Sequence, residues 1–227
     1  MSTAIQPALR PDYSPEQRAA WMQRHEEFAA LARRGGIEVA FFGDSLTDHW
    51  REHGRPSWDR HFAPLLSANF GISGDRTQQL LWRMDRGELE GMAPKGVVLL
   101  IGTNNLTPGL GENSLTPKNT PAETVGGVAA VVDTVRRRQP RARILLHALL
   151  PRAEPAAEIR REVLETNAGL ARLADGDTVR FLDLGGIFQD REGRLSPEIM
   201  PDGLHLNARG YALWAEALHR PVTELLS

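Results

Sequence analysis

Ile37-Glu-Val-Ala-Phe-Phe-Gly-Asp-Ser-Leu46 is the stretch on which the fold turns. It begins as an apolar strand over Ile37–Phe42, stops at Gly43 and then presents Ser45. A serine at that point sits on the rim of a sheet, where backbone N–H groups are free and a substrate can arrive. Gly-Asp-Ser is equally an ordinary turn or helix cap. What the serine does therefore depends on what the rest of the chain brings to the same rim.

Outward from this strand, helical and strand patterns alternate. Before it, Ser14 and Gln17 make a capping box, Trp21, Phe28 and Leu31 share a helical face, and Gly35 closes a helix over Ser14–Arg34. After it come a short strand at Leu66–Phe70 and a helix expected to be capped by Asp75 with Gln78. The run Val97–Ile101 is continuously apolar, as in a strand covered on both faces. Thr120-Pro121-Ala122-Glu123 joins a cap, a proline and the capping glutamate, and Val125, Val128, Val132 and Val135 follow at helical spacing. Ile144–Leu150 reads as a fourth strand and Ile159–Leu173 as a helix with Val163 and Leu170 inward. Val179–Leu182 is a fifth strand, and a last helix is capped by Asn207, with Leu206 and Tyr211 spaced as a staple.

Five strands separated by helices predict an α/β fold, a five-stranded parallel sheet with helices on both sides. Such sheets bind ligands beyond the carboxyl ends of their strands. Ser45, Gly74 and Asn104 each follow a strand, so the topology gathers them at one edge. No internal repeat or second domain is visible, and 227 residues fit a single domain over 1–227. Residues 1–13 are expected to be a flexible leading segment. Residues 106–121, rich in Pro, Gly and Asn, read as a loop insertion near the active edge, either functional or a tolerated surface insertion.

Composition narrows the function. Hydrophobic residues make up 41% and charged residues 25% of the chain, as in a soluble globular protein. A formal charge of −2 supplies no basic field, which argues against a nucleic-acid partner. No apolar run is long enough to span a bilayer, and the start of the chain lacks a signal-peptide pattern, so the expected location is the cytoplasm. Zero cysteines remove disulfides, thiol catalysis and thiolate metal sites together.

A serine hydroxyl needs a base to take its proton, and the base needs a third group to hold its tautomer. Pro201-Asp202-Gly203-Leu204-His205-Leu206 offers both in one turn. Asp202 and His205 are three apart, so the carboxylate can accept from one ring nitrogen while the other faces Ser45. Acyl transfer also needs donors aimed at the developing oxyanion. Asn69-Phe-Gly-Ile-Ser-Gly-Asp75 places Gly74 where a bare N–H can approach a ligand, and Ile101-Gly-Thr-Asn-Asn105 offers an amide at a strand end. Taken singly, these segments are also a capping turn, a glycine turn and an Asx-turn. Four segments of the required chemical types at one edge point to a nucleophilic serine site.

These blocks resemble those of the SGNH (GDSL-type) hydrolases. Gly43-Asp44-Ser45-Leu46, Gly74 in Gly-Ile-Ser-Gly-Asp, Asn104 in Gly-Thr-Asn-Asn and Asp202-Gly203-Leu204-His205 match the four motifs in order. The likeness runs from about Trp21 to the C-terminus. Asn69–Gln78 followed by Leu81-Trp82-Arg83-Met84 is especially similar to the catalytic subunits of type I platelet-activating-factor acetylhydrolase and their bacterial relatives. The resemblance implies a flavodoxin-like three-layer α/β/α sandwich and ester hydrolysis without metal or other cofactor. It implies Ser45 as nucleophile, His205 as base, Asp202 as its orienting group, and an oxyanion hole of the Ser45 and Gly74 N–H groups with the Asn104 side chain. Leu46, Thr103 and Leu204 match positions that shorten the acyl pocket, so a small-molecule ester with an acetyl-type acyl group is the expected substrate. A homodimer would suit these relatives.

Two features depart from the pattern. Residues 106–121 are longer than in the acetylhydrolase subunits, and Ser73 stands where they tend to have glycine. No Gly-x-Ser-x-Gly elbow surrounds Ser45, which argues against the α/β-hydrolase fold. Three other readings use the same residues: an acyltransferase, a non-catalytic binder of an acylated ligand or partner, and a metallo-phosphoesterase built on Asp44, Asp48, His49, Asp202 and His205. His49, His53 and His61 lie in a polar segment and are expected at the surface. Arg136–Arg138, ending a helix, are expected to face solvent.

Overall fold

Alternating side chains on one strand separate the two faces of the molecule. In the computed structural model, which describes residues 2–108, 116–153 and 157–227, Phe41 and Phe42 of the first strand point to opposite sides. Phe41 packs on Trp58 and Phe62, with ring centroids 4.9 and 5.1 Å away. Phe42 stacks on Phe70 at 4.7 Å, and Phe70 meets Phe28 of the first helix. Both rings are at most 2% exposed, so the strand is covered on both sides, as its unbroken apolar run requires.

In chain order the described elements are α1 (Pro15–Arg34), β1 (Val39–Gly43), α2 (Ser45–Asp48), α3 (Arg55–His61), β2 (Ser67–Gly71), α4 (Thr77–Arg83), β3 (Gly96–Leu100), α5 (Pro121–Arg138), β4 (Arg143–His147), α6 (Ala157–Ala171), β5 (Val179–Leu182) and α7 (Ala208–Thr223). The five strands form one parallel sheet in the order β2-β1-β3-β4-β5. This is the flavodoxin-like order. Right-handed crossovers place the α2–α3 connection on one face and α4, α5 and α6 on the other. The packing agrees: α3 lies on α7, while α4, α5 and α6 pack on one another in sequence.

Strand order reverses at β1, whose neighbours are β2 and β3. The crevice beyond its carboxyl end is where such sheets bind ligands, and Ser45 opens the short helix that follows. Gly43 makes this junction possible. A Cβ there would fall 2.1 Å from Thr47 Oγ1 and 2.4 Å from the Leu100 carbonyl, so only glycine lets α2 turn straight back over the strand end.

Capping holds where a short polar side chain can reach the first turn. Ser14 with Gln17 and Thr120 with Glu123 form reciprocal capping boxes, and Asn207 caps α7 through the Gly210 N–H. The helix after β2 departs from expectation. Asp75 does not cap it, because its carboxylate is drawn into the core by Trp21 and Arg83. Asn105 accepts the Thr77 N–H instead, and Gln79 accepts the Arg76 N–H.

Residues 2–13, expected as a flexible segment, are packed against the domain. Ala4 is fully buried, with its carbonyl accepting the Thr77 hydroxyl, and the Ala8 carbonyl accepts the Gln79 amide. Residues 109–115 of the expected 106–121 insertion lie outside the described residues. No helix among the described residues is long and apolar enough to cross a membrane.

Candidate active site

Ser45 is the first residue of α2, so its N–H is one of those that have no partner within the helix. Asp44 is the cap, accepting the Leu46 N–H at 3.1 Å, and the Tyr211 hydroxyl donates to the Leu46 carbonyl at 2.7 Å. These bonds fix the turn from both sides. Asp44 is fully buried, and burial pushes its carboxyl up to about 7. The sequence left open whether Ser45 itself serves as a cap. Asp44 fills that role, and the Ser45 hydroxyl turns to His205.

His205 Nε2 lies 3.0 Å from Ser45 Oγ, and its Nδ1 lies 2.6 Å from Asp202 Oδ2. With the ring proton on Nδ1, the imidazole donates to Asp202 and offers a lone pair to the serine hydroxyl. The turn that holds this pair is built from its own backbone. Asp202 Oδ1 accepts the Leu204 and His205 N–H groups at 2.9 and 2.7 Å, and Gly203 takes a φ of +75°. Slight burial pushes the Asp202 carboxyl up, but the donors from His205 and Leu204 outweigh it and hold the group down to about 2. The carboxylate therefore stays charged across the whole neutral range.

Gly74 and Asn104 lie in the turns that follow β2 and β3, the strands on either side of β1. The Ile72–Asp75 turn is closed by the Asp75 N–H on the Ile72 carbonyl at 3.2 Å, with Gly74 at φ +82°. The Gly74 N–H has no partner among the described residues. Asn104, half-buried in the turn after β3, donates one amide proton to the Asp75 carbonyl at 3.0 Å, and its other amide proton has no acceptor among the described residues. Leu46 and Thr103 are each 1% exposed; Leu46 belongs to the core, and Thr103 is held by the Arg152 guanidinium. Of the three pocket positions read from the sequence, Leu204 alone is half-buried.

Several groups that shape the site gave no local sequence signal. Arg83 is fully buried and binds Asp75 at 2.7 Å, Glu88, and the carbonyl of Gly43 at 3.1 Å. One guanidinium thus ties the end of the serine strand to the residue after Gly74. His25 completes the cluster from the far side, 2.8 Å from Glu88. His49, expected at the surface, is half-buried with its ring 5.1 Å from that of His205. Burial and the nearby His205 lower its proton affinity, so it sits beside the site as a neutral ring. Asp48 is engaged by Arg51 and Ser73, and among the described residues no three His, Asp or Glu side chains are grouped to hold a metal ion.

A serine, an imidazole and a carboxylate in series, at the switch point of a parallel sheet, are the groups that an acyl-transfer reaction uses. The comparisons fall in the same class. Residues 41–213 match the model of the GDSL-like Lipase/Acylhydrolase family. Platelet-activating factor acetylhydrolase IB subunit alpha2 of Rattus norvegicus is 36% identical over 210 residues, covering 91% of this chain and 85% of that one. Two solved structures share the fold: a GDSL-like lipase of Bacteroides thetaiotaomicron (TM-score 0.69, 22% identity, 91% and 98% of the two chains) and an acetylxylan esterase of Geobacillus stearothermophilus (TM-score 0.66, 18% identity, 83% and 94%). The chain belongs to the GDSL-like lipase/acylhydrolase family and is a hydrolase of that class.

Proposed function

We propose that this chain is a serine esterase that cleaves short-chain, acetyl-type carboxylic esters through an acyl-enzyme. The observation that carries the reading is the unbroken series Ser45–His205–Asp202, at 3.0 and 2.6 Å. Ser45 Oγ attacks the ester carbonyl while His205 Nε2 takes its proton, and Asp202 stabilises the imidazolium. The oxyanion is received by the Ser45 and Gly74 N–H groups and the second amide proton of Asn104. His205 then protonates the departing alcohol, and water repeats the sequence on the acyl-enzyme.

Short acyl groups are favoured by two considerations. Leu46 and Thr103 are packed solid beside Ser45 and Asn104, leaving Leu204 as the adaptable wall. The relatives whose names specify an acyl group are named for acetyl esters. Rates on p-nitrophenyl acetate, butyrate and octanoate test this. Acetate should be fastest in the wild type and Ser45→Ala inert, whereas faster turnover of octanoate would overturn the short-acyl assignment.

A further inference from the structure

The leading segment, outside the 41–213 span that matches the family model, reaches the turn that would receive the oxyanion. Arg10, 4% exposed, donates through Nη1 to the Gly74 carbonyl at 2.5 Å. The Tyr13 hydroxyl donates to the Ser73 carbonyl at 3.4 Å. Arg10 is itself held by Asp12, at 3.2 Å from Nε, and lies over the Tyr13 ring at 5.2 Å.

These contacts fall on the two peptides flanking Gly74. A turn closed between Ile72 and Asp75, with φ +82° at its third residue, has the geometry of a type II turn. Types I and II differ by a flip of the central peptide, here Ser73–Gly74. That peptide carries both the Gly74 N–H and the Ser73 carbonyl, so a flip would turn the donor away from the oxyanion. Glycine accepts φ of either sign, so Gly74 alone does not choose between the two states. The Tyr13 bond holds the carbonyl of this peptide, and the Arg10 bond holds the carbonyl of the next. On the other side, Asp48 accepts both the N–H and the hydroxyl of Ser73, at 3.0 and 2.6 Å.

We propose that Arg10 and Tyr13 are positioning residues that lock the Ser73–Gly74 peptide with its N–H toward the oxyanion, making the leading segment a working part of the active site. Accepting a hydrogen bond at the carbonyl also polarises the same peptide and strengthens its N–H as a donor. The inference rests on the esterase reading above.

The test uses the full chain and p-nitrophenyl acetate, with active sites counted by fluorophosphonate titration. Arg10→Met should lower kcat per active site by about 10- to 100-fold with KM within about threefold, since the lost alignment is of a group that acts in the transition state. Affinity for a trifluoromethyl ketone, which forms a tetrahedral adduct, should fall in parallel. Arg10→Lys should recover part of the loss, and Tyr13→Phe, which keeps the ring packing, should lose about two- to tenfold. Unchanged kcat per titrated site in both Arg10→Met and Tyr13→Phe would overturn the proposal. So would a loss explained entirely by fewer active sites, because that is what a merely structural role predicts. A wild type inert on all esters would instead remove the esterase reading, and the positioning role with it.

Discussion

Replacing Arg83 by methionine tests the link between core and site. The side chain is fully buried, as are both of its carboxylate partners, Asp75 and Glu88. Methionine fills much of the volume but leaves two buried carboxylates with Trp21 and His25 as their remaining side-chain partners among the described residues. Removing one partner of such a pair costs about 3–5 kcal/mol. The loss should depend on pH in a definite direction. Burial already pushes the Asp75 carboxyl up to about 6, with Arg83 pulling the other way. A carboxyl whose folded pKa lies above its unfolded value contributes stability that is present below about pH 4 and lost as the pH rises through about 6. Without Arg83 the folded pKa rises further, so the penalty should be larger at pH 8 than at pH 5 by at least about 1.4 kcal/mol, the equivalent of one pKa unit. Urea denaturation of both proteins at the two pH values measures it. A penalty below about 1 kcal/mol at pH 8, or one that is the same at both pH values, would refute the reasoning.

Other expectations concern the site directly. Asn104→Ala should remain folded, because its amide makes one bond to the Asp75 carbonyl, but lose about 10²- to 10³-fold in kcat. Gly74→Ala places a Cβ at φ +82°, 2.8 Å from the Arg10 guanidinium; activity should drop sharply, with a stability loss of about 1 kcal/mol seen in the same urea assay. Asp202 is held down to about 2, so it stays ionised and cannot limit the rate near neutrality. A base that must be neutral to accept the serine proton loses that capacity on acidification, so kcat/KM should fall between about pH 8 and 5, and a flat profile over that range would argue against a histidine base.

The sheet was legible because buried parallel strands are continuous apolar runs. The fifth strand has the bounds read from Val179–Leu182, and the other four shift by one to three residues at their ends. Ser45, Asp202 and His205 were legible because each stands in a short turn with its own local pattern. The supporting shell was not. Asp75 reads locally as a helix cap, and only in three dimensions does the buried Arg83 guanidinium outcompete the backbone N–H groups for its carboxylate. Arg10 and Tyr13 belong to a segment without periodicity, and their bonds to Gly74 and Ser73 span 64 and 60 residues. His49 sits in a polar stretch that gives no hint of its contact with His205. Long-range polar partnerships of this kind leave no spacing to read.

Covalent capture decides whether Ser45 is the nucleophile. Incubation with a fluorophosphonate, followed by peptide mapping, should find a single adduct on Ser45, and Ser45→Ala should remain unlabelled. An adduct on any other residue, or no labelling of folded wild-type protein, would contradict the account.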